Sequence, residues 1–285
     1  MKNIKPFYIA EVSSNHNCDL DRCLEFIDVA ADIGCDAVKF QLFKIEELFA
    51  PEILAESEEH RKRKDWELPL EFIPKLSKYT REKGLQFSCT PFYIKAVKEL
   101  QPYVDFYKIA SYELLWEKLI EECSKTNLPL ILSTGMSNME EITNAVDVAT
   151  RFNCKDLSLL HCNSGYPTPI NDCNLSAIKT MQDSFNCSVG WSDHSVNPVV
   201  ISQAINEWGA EIIEFHLDIE GNGEEFKTGH CWLPYDIQKV INATKNITKM
   251  NGSGKKEPSN SEIIDRDWRA DPLDGLRPLK SIRKN

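Results

Sequence analysis

The sequence predicts a single parallel α/β barrel of the (β/α)8 TIM class, followed by a short irregular C-terminal tail. Three observations carry this prediction. Eight short runs rich in apolar, β-branched or aromatic residues recur along the chain. Most are continuous rather than alternating, as parallel strands buried on both faces are. Stretches of helical periodicity separate them, several stopped by a glycine just past the last turn. Polar and charged residues collect at the C-terminal ends of the runs, the edge where such barrels carry their chemistry. Eight strand–helix alternations is the count that closes a barrel. A doubly wound open sheet is the alternative, but neither GxGxxG nor GxxxxGK[ST] follows any strand to support its nucleotide-binding form.

The strands are expected at residues 7–12, 37–41, 86–90, 106–110, 130–134, 157–162, 188–192 and 212–216. Between the first two, residues 21–33 place Leu24, Ile27, Val29 and Ala31 in an amphipathic stretch that stops at Gly34. Residues 71–83 repeat the pattern with Phe72, Leu76 and Tyr79 before Gly84. Residues 138–152 and 196–208, the latter before Gly209, follow suit, and residues 239–250 are expected to be the last outer helix. Residues 44–67 depart from the repeat, being long and charged; they read as a solvated insertion or as a lid over the site. From Asn251 the chain is polar and rich in Gly and Pro. The expected organisation is therefore a catalytic barrel over residues 1–250 and an extended tail over residues 251–285.

The formal net charge of −11 argues against non-specific nucleic-acid binding, which needs a basic face. A small anionic ligand remains compatible, held by local lysines and helix N-termini. No apolar run approaches the roughly 20 residues of a membrane span, and the first residues enter a strand-like segment with no signal-peptide pattern. The ten cysteines form no C-x-x-C pair, and several lie in or beside apolar runs, which fits reduced, buried thiols. The expected location is the cytoplasm, with no membrane or nucleic-acid partner.

Read in order, the strand ends offer Glu11, Lys39 with Gln41, Thr90, Lys108 with Ser111 and Glu113, Ser133 with Thr134, His161, Ser192 with Asp193 and His194, and His216. His194 and His216 end consecutive strands, so their imidazoles can share a divalent metal. Mn²⁺, Mg²⁺, Zn²⁺ and Fe²⁺ are all open on this reading. Lys39 and Lys108 lie inside apolar strand runs and need anionic partners or shifted pKa values. They can bind phosphate and carboxylate, one can form a Schiff base, or both can pair with structural carboxylates such as Glu11 and Glu113. Ser133-Thr134-Gly135-Met136 before a helix resembles an anion-binding turn. Glu11 can act as a general acid–base or as an ion-pair partner. His16 and His161, each alone, read as structural.

In these residues the chain resembles the sialic acid (N-acetylneuraminate) synthase family. The match runs in order through Ile9-Ala10-Glu11-Val12-Ser13-Ser14-Asn15-His16-Asn17, Ala37-Val38-Lys39-Phe40-Gln41, Ser88-Cys89-Thr90-Pro91-Phe92 and Tyr107-Lys108-Ile109-Ala110-Ser111-Tyr112-Glu113. It continues through Ile131-Leu132-Ser133-Thr134-Gly135-Met136, Leu160-His161-Cys162 leading to Tyr166-Pro167-Thr168-Pro169, Gly190-Trp191-Ser192-Asp193-His194 and Glu214-Phe215-His216. The resemblance implies a barrel enzyme that joins phosphoenolpyruvate to N-acetylmannosamine or a related amino-sugar aldehyde, releasing phosphate by C–O cleavage. It implies a metal, Mn²⁺ or Mg²⁺, on His194 and His216, and proton handling by Glu11. Phosphoenolpyruvate would be bound by Lys39, Thr90, Lys108, Ser111, Ser133 and Ser192. Glu113 would contact the sugar, with Ser164 and Tyr166 as further substrate contacts, and a homodimer is the implied assembly. The chain departs from the family in three places. It ends at Asn285, before the antifreeze-like domain whose arginine serves the partner's site in bacterial relatives; Arg269 and Arg277 in the tail are the arginines that could take that part. A Gly-Pro-Asp-His-type segment reads Lys227-Thr228-Gly229-His230. Cys18 and Ala110-Ser111-Tyr112-Glu113 stand where glycine-containing turns are usual.

Overall fold

The computed structural model describes residues 5–283. Eight parallel strands form the barrel: β1 (Phe7–Glu11), β2 (Ala37–Leu42), β3 (Gln86–Pro91), β4 (Tyr107–Ile109), β5 (Leu130–Ser133), β6 (Leu157–Cys162), β7 (Ser188–Asp193) and β8 (Ile212–Leu217). They pair in the order β3-β2-β1-β8-β7-β6-β5-β4. A parallel bridge between Ser88 and Phe106 joins β3 to β4 and closes the ring. A short ninth strand, β9 (Cys231–Trp232), adds alongside β8, a feature absent from the expected pattern.

Each barrel strand is followed by an outer helix: α1 (Leu20–Asp32), α2 (Ile73–Glu82), α3 (Ile94–Leu100), α4 (Glu117–Ser124), α5 (Met139–Arg151), α6 (Ala177–Ser184), α7 (Pro198–Asn206) and α8 (Pro234–Lys245). Their starts are chemically marked. Asp19 caps α1, Asn138 and Glu141 form a capping box on α5, and Asn197 caps α7 with Pro198 in its first turn. Gly34, Gly84 and Gly209 take up left-handed φ values of 87°, 78° and 71° beyond α1, α2 and α7, as expected of helix stops. The last outer helix differs from expectation: it begins at Pro234, not at residue 239, and buries Ile237, Val240, Ile241 and Thr244. Pro234 donates no backbone N–H, so it suits the first turn, where that donor has no helical partner.

The insertion after β2 is largely solvent-exposed, as a solvated insertion should be, yet it is not without structure. It folds into short helices at Ile45–Leu48, Pro51–Glu56 and Glu58–Lys62. Leu48, Phe49, Leu54 and Trp66 pack on Phe43, Ile45 and Phe92, which leaves the charges outside.

Two apolar clusters explain the barrel. The larger lies between strands and helices and includes Tyr8, Phe26, Phe40, Phe87, Tyr107 and Trp191. The smaller joins Phe7, Ile9, Ala37, Phe106, Ile131, Leu160 and Ile212. The strand register aligns Ile9 with Ala37, Ile131 with Ser158, and Leu160 with Gly190, so these side chains share the inner face and plug the barrel's lower half. Gly190 is required there: a Cβ would stand 2.2 Å from the Ile212 carbonyl oxygen and 2.7 Å from Leu160 Cδ2.

The chain divides into two compact units between Lys245 and Asn246. Within the second, Ser259 and Glu262 form a capping box, Asp271 accepts from the Leu273 and Lys280 N–H groups, and Arg283 forks onto Asp274. No helix among the described residues is long and apolar enough to cross a membrane.

Candidate active site

Above the apolar plug, the same inner face turns polar within one step of each strand. Glu11 aligns with Lys39 and His216, Lys39 with Ser88, Lys108 with Ile131, and Ser192 with Glu214. Side chains two apart on a strand share a face. The layer over Ile9, Phe106 and Ile212 is therefore Glu11, Lys108 and Glu214, with Lys39, Ser133 and Ser192 beside them.

All of these residues are buried. The Lys39 ammonium contacts the second carboxylate oxygen of Glu11, donates to Thr90 Oγ1 at 3.3 Å and lies 3.8 Å from Glu214. Lys108 Nζ donates to Glu214 Oε1 at 3.0 Å, which also accepts from Ser192 Oγ at 3.1 Å. Glu11 Oε1 accepts from the Ser13 N–H and from Gln41 Nε2, both at 2.9 Å. Both lysines thus have carboxylate partners, but Lys108 pairs with Glu214 rather than Glu113. Burial lowers the Lys39 ammonium to about 7, against the opposing pull of Glu214. Burial alone would raise the Glu214 carboxyl, but Lys108 and Lys39 overcome it and hold the group at about 2.

A second group gathers beside the β5 turn. The Gly135 N–H donates to Ser111 Oγ at 3.1 Å, and Ser111 Oγ lies 3.1 Å from Cys162 Sγ. A Cβ on Gly135 would meet Ser164 Oγ at 2.3 Å, Ser111 Oγ at 2.8 Å and Cys162 Sγ at 3.0 Å, so these groups converge on a bare backbone. The buried hydroxyls of Ser133 and Ser164 have no hydrogen-bond partner among the described residues, and neither does Glu113 Oε2. Unsatisfied buried oxygens cost free energy, and they are where a polar ligand is accommodated best. Burial raises the Glu113 carboxyl to about 7, with Lys108 pulling the other way.

A third group lies at the mouth, where β8 meets β9. His216, Glu225, His230 and Cys231 bring ligand atoms within 4.8 Å of one another. Glu225 Oε2 lies 3.1 Å from His216 Nδ1 and 3.7 Å from His230 Nε2, while its other oxygen accepts from the Ser14 N–H at 3.0 Å. His194 stands one ring away: its centroid is 5.4 Å from that of His216, and its Nδ1 faces the Asn163 carbonyl at 2.8 Å. Tyr166 spans the group, with its ring centroid 4.3 Å from His194 and 4.8 Å from His230. Burial lowers His194 to about 3, helped by His216, and also lowers His216 against the pull of Glu225. Both imidazoles are therefore neutral at pH 7, the form that ligates metal.

Most of the strand-end residues lie in or beside one of these groups, but Thr134, His161 and Asp193 do not; Thr134 Oγ1 donates to the Leu160 carbonyl at 3.0 Å. Asp193 faces the other way and accepts from the indole N–H groups of Trp191 at 3.0 Å and Trp232 at 2.8 Å, tying β7 to β9. His161 meets the Cys173 carbonyl at 3.0 Å, and His16 Nδ1 accepts from the Cys18 N–H at 2.9 Å; both take structural places. The residues unassigned from sequence are Glu214, Glu225, His230 and Cys231. Glu214 was accessible in principle, standing two residues before His216 on one strand. The other three depend on the loop that carries β9 back beside β8.

Comparison with known proteins places this geometry. The NeuB family model matches residues 26–256. An uncharacterized protein of Methanocaldococcus jannaschii is 40% identical, over 90% of this chain and 75% of its own. An N,N'-diacetyllegionaminic acid synthase of Campylobacter jejuni is 32% identical, over 90% of this chain and 81% of its own. The crystal structure of an N-acetylneuraminic acid (sialic acid) synthetase from Leptospira borgpetersenii superposes with a TM-score of 0.80 at 33% identity, covering 94% of this chain and 95% of that one.

Proposed function

The chain belongs to the NeuB family, and from that premise we propose that it condenses phosphoenolpyruvate with an N-acetylmannosamine-like amino-sugar aldehyde, giving a nonulosonic acid and phosphate. The observation that carries this reading is the polar layer itself. Two buried lysines, a set of uncommitted hydroxyls and a bare glycine N–H turn stand together directly above an apolar floor.

Phosphoenolpyruvate brings negative charge into a layer where Lys39 and Lys108 are already matched by Glu11 and Glu214. Extra donors are needed: the unpartnered hydroxyls of Ser133 and Ser164 supply them directly, and Thr90, Ser111 and Ser192 would add theirs by turning toward the anion. Drawing the Lys39 ammonium toward the anion loosens its hold on Glu11, which makes Glu11 more basic and suits it to moving protons. Fixing the substrate this way aligns its C3 with the aldehyde carbon, an orientation effect that lowers the barrier. As C3 attacks, the aldehyde oxygen gains a proton; water adds at C2, and the tetrahedral carbon then expels phosphate with its bridging oxygen. Glu113, whose carboxyl is raised to about 7 by burial, would donate to the sugar, and Tyr166 would pack against it.

A divalent cation fits the mouth, where the imidazoles of His216 and His230 and the Glu225 carboxylate converge in a largely buried setting. His216, Glu225 and His230 would hold it, with His194 adjacent. When bound, such a cation supplies Lewis-acid polarisation of the aldehyde oxygen.

The names of the relatives favour 2-acetamido or diacetamido aldoses. The test is phosphate release from phosphoenolpyruvate with a divalent metal and a panel of such aldoses, free and phosphorylated. Release that depends on one aldose supports the reading; release with none of them removes it.

A further inference from the structure

We propose that Cys231 is a thiolate ligand of the same cation as His216 and His230, which makes the mouth a site for a thiophilic divalent ion of the zinc, iron(II) or cobalt(II) class rather than for magnesium. The inference rests on the reading that the mouth holds a cation.

The placement of the sulfur is set by the sheet. β9 pairs in parallel with β8, and Cys231 is the register partner of His216. Register partners project from the same face of a sheet, so the thiol and the imidazole leave the backbone together. His230, the residue before, brings its own ring to 4.7 Å from that of His216. Glu225 closes the group, with one oxygen fastened by Ser14 and the other turned toward both imidazoles. Among the described residues this is the one cluster of His, Cys, Asp and Glu side chains whose ligand atoms converge.

The surroundings of Cys231 differ from those of a cysteine that only fills space. Cys23, Cys35, Cys89 and Cys123 lie within the apolar cluster between strands and helices. Cys231 is equally buried, but it sits beside two imidazoles and a carboxylate. The Asn15 amide donates toward its sulfur at 3.8 Å and is itself anchored on the Leu217 carbonyl at 3.0 Å. An outer amide donor of this kind steadies a metal-bound thiolate. Coordination replaces the S–H bond with a sulfur–metal bond and releases one proton to solvent. A soft sulfur in the set disfavours Mg²⁺, which takes oxygen ligands and keeps its waters.

The experiment loads the metal-stripped full chain with Co²⁺ and reads two quantities, bound cobalt by equilibrium dialysis and the near-ultraviolet thiolate-to-cobalt charge-transfer band. The expected result is one cobalt per chain with the band present. Cys231→Ser and Cys231→Ala should each abolish the band while cobalt still binds, with weakened affinity. Cys18→Ser should leave the band unchanged, and excess Mg²⁺ should fail to displace the cobalt. Cobalt bound without the band, or a band that survives in both Cys231 variants, overturns the thiolate assignment and leaves the cation reading standing. No bound cobalt at all overturns both.

Discussion

Replacing Lys108 by Met removes a charge and keeps most of the side chain's bulk. Lys108 is 3% exposed, and Glu214, its partner at 3.0 Å, is 2% exposed. After the change Glu214 retains Ser192 at 3.1 Å and the more distant Lys39 at 3.8 Å. Removing one member of a buried ion pair costs about 3–5 kcal/mol, because the remaining charge stays desolvated. The residual pull of Lys39 places this case near the lower end, about 3 kcal/mol. Adding Glu214→Gln removes the stranded charge and leaves an amide that can still accept from Ser192. The double variant should therefore recover to within about 1 kcal/mol of the parent, the scale of a single hydrogen bond. Urea unfolding, compared at a common m-value, measures the three proteins. Affinity for phosphoenolpyruvate should behave differently and fall about 10–100-fold in both variants, the worth of a charge-assisted bond. A single variant that loses less than 1 kcal/mol, or a double variant as unstable as the single one, would refute the claim that Glu214 is held by Lys108. Recovery of affinity along with stability would refute the substrate-binding role of Lys108.

Other expectations follow from the same structure. Glu113 is raised by burial from 4.5 to about 7, which corresponds to about 3 kcal/mol at about 1.4 kcal/mol per pH unit. A carboxyl raised in the folded state costs nothing below the unfolded value, and stability is lost as pH climbs through the folded one. Glu113→Gln should gain on the parent between pH 4.5 and 7 and then level off, and parallel stability–pH curves would exclude this. Gly190→Ala drives a methyl into the Ile212 carbonyl and Leu160; a loss of about 3 kcal/mol is expected by thermal unfolding. His216→Ala should keep the far-ultraviolet circular dichroism of the barrel and lose bound metal, and dialysis showing full metal occupancy would contradict its place in the group. Asp193→Leu leaves two buried indole N–H groups unpaired and detaches β7 from β9. It should cost about 3 kcal/mol or more in urea unfolding, and it should weaken metal binding through His230, whose ring precedes β9.

The fold was legible because its causes are local and repetitive. Continuous apolar runs such as Leu130-Ile131-Leu132 and glycine stops such as Gly84 act on their own segments. The polar layer was legible for the same reason, since strand ends are shared by all eight strands. Its pairing was less so: Lys108 finds Glu214, not Glu113, because strand register decides the partner and register comes from packing across the barrel. The cation group was half visible. His216 ends a strand, whereas Glu225, His230 and Cys231 lie in a loop that a two-residue strand returns to β8. A pair of residues carries no periodicity, so nothing in the local pattern announces β9. The insertion after β2 was legible as a solvated segment, but its short helices were not, for a related cause. Its charges dominate the composition, while Leu48, Phe49, Leu54 and Trp66 make an apolar face visible only once Phe43 and Phe92 are beneath it.

The most direct test of the proposed reaction uses phosphoenolpyruvate carrying ¹⁸O in the bridging C–O–P position, incubated with metal and the preferred amino-sugar aldehyde. Condensation by water addition at C2 and C–O cleavage predicts that the label leaves in inorganic phosphate, one phosphate for each keto-sugar acid formed. Unlabelled phosphate would mean P–O cleavage, and labelled phosphate without a matching keto-sugar acid would mean no condensation; either result would contradict the account.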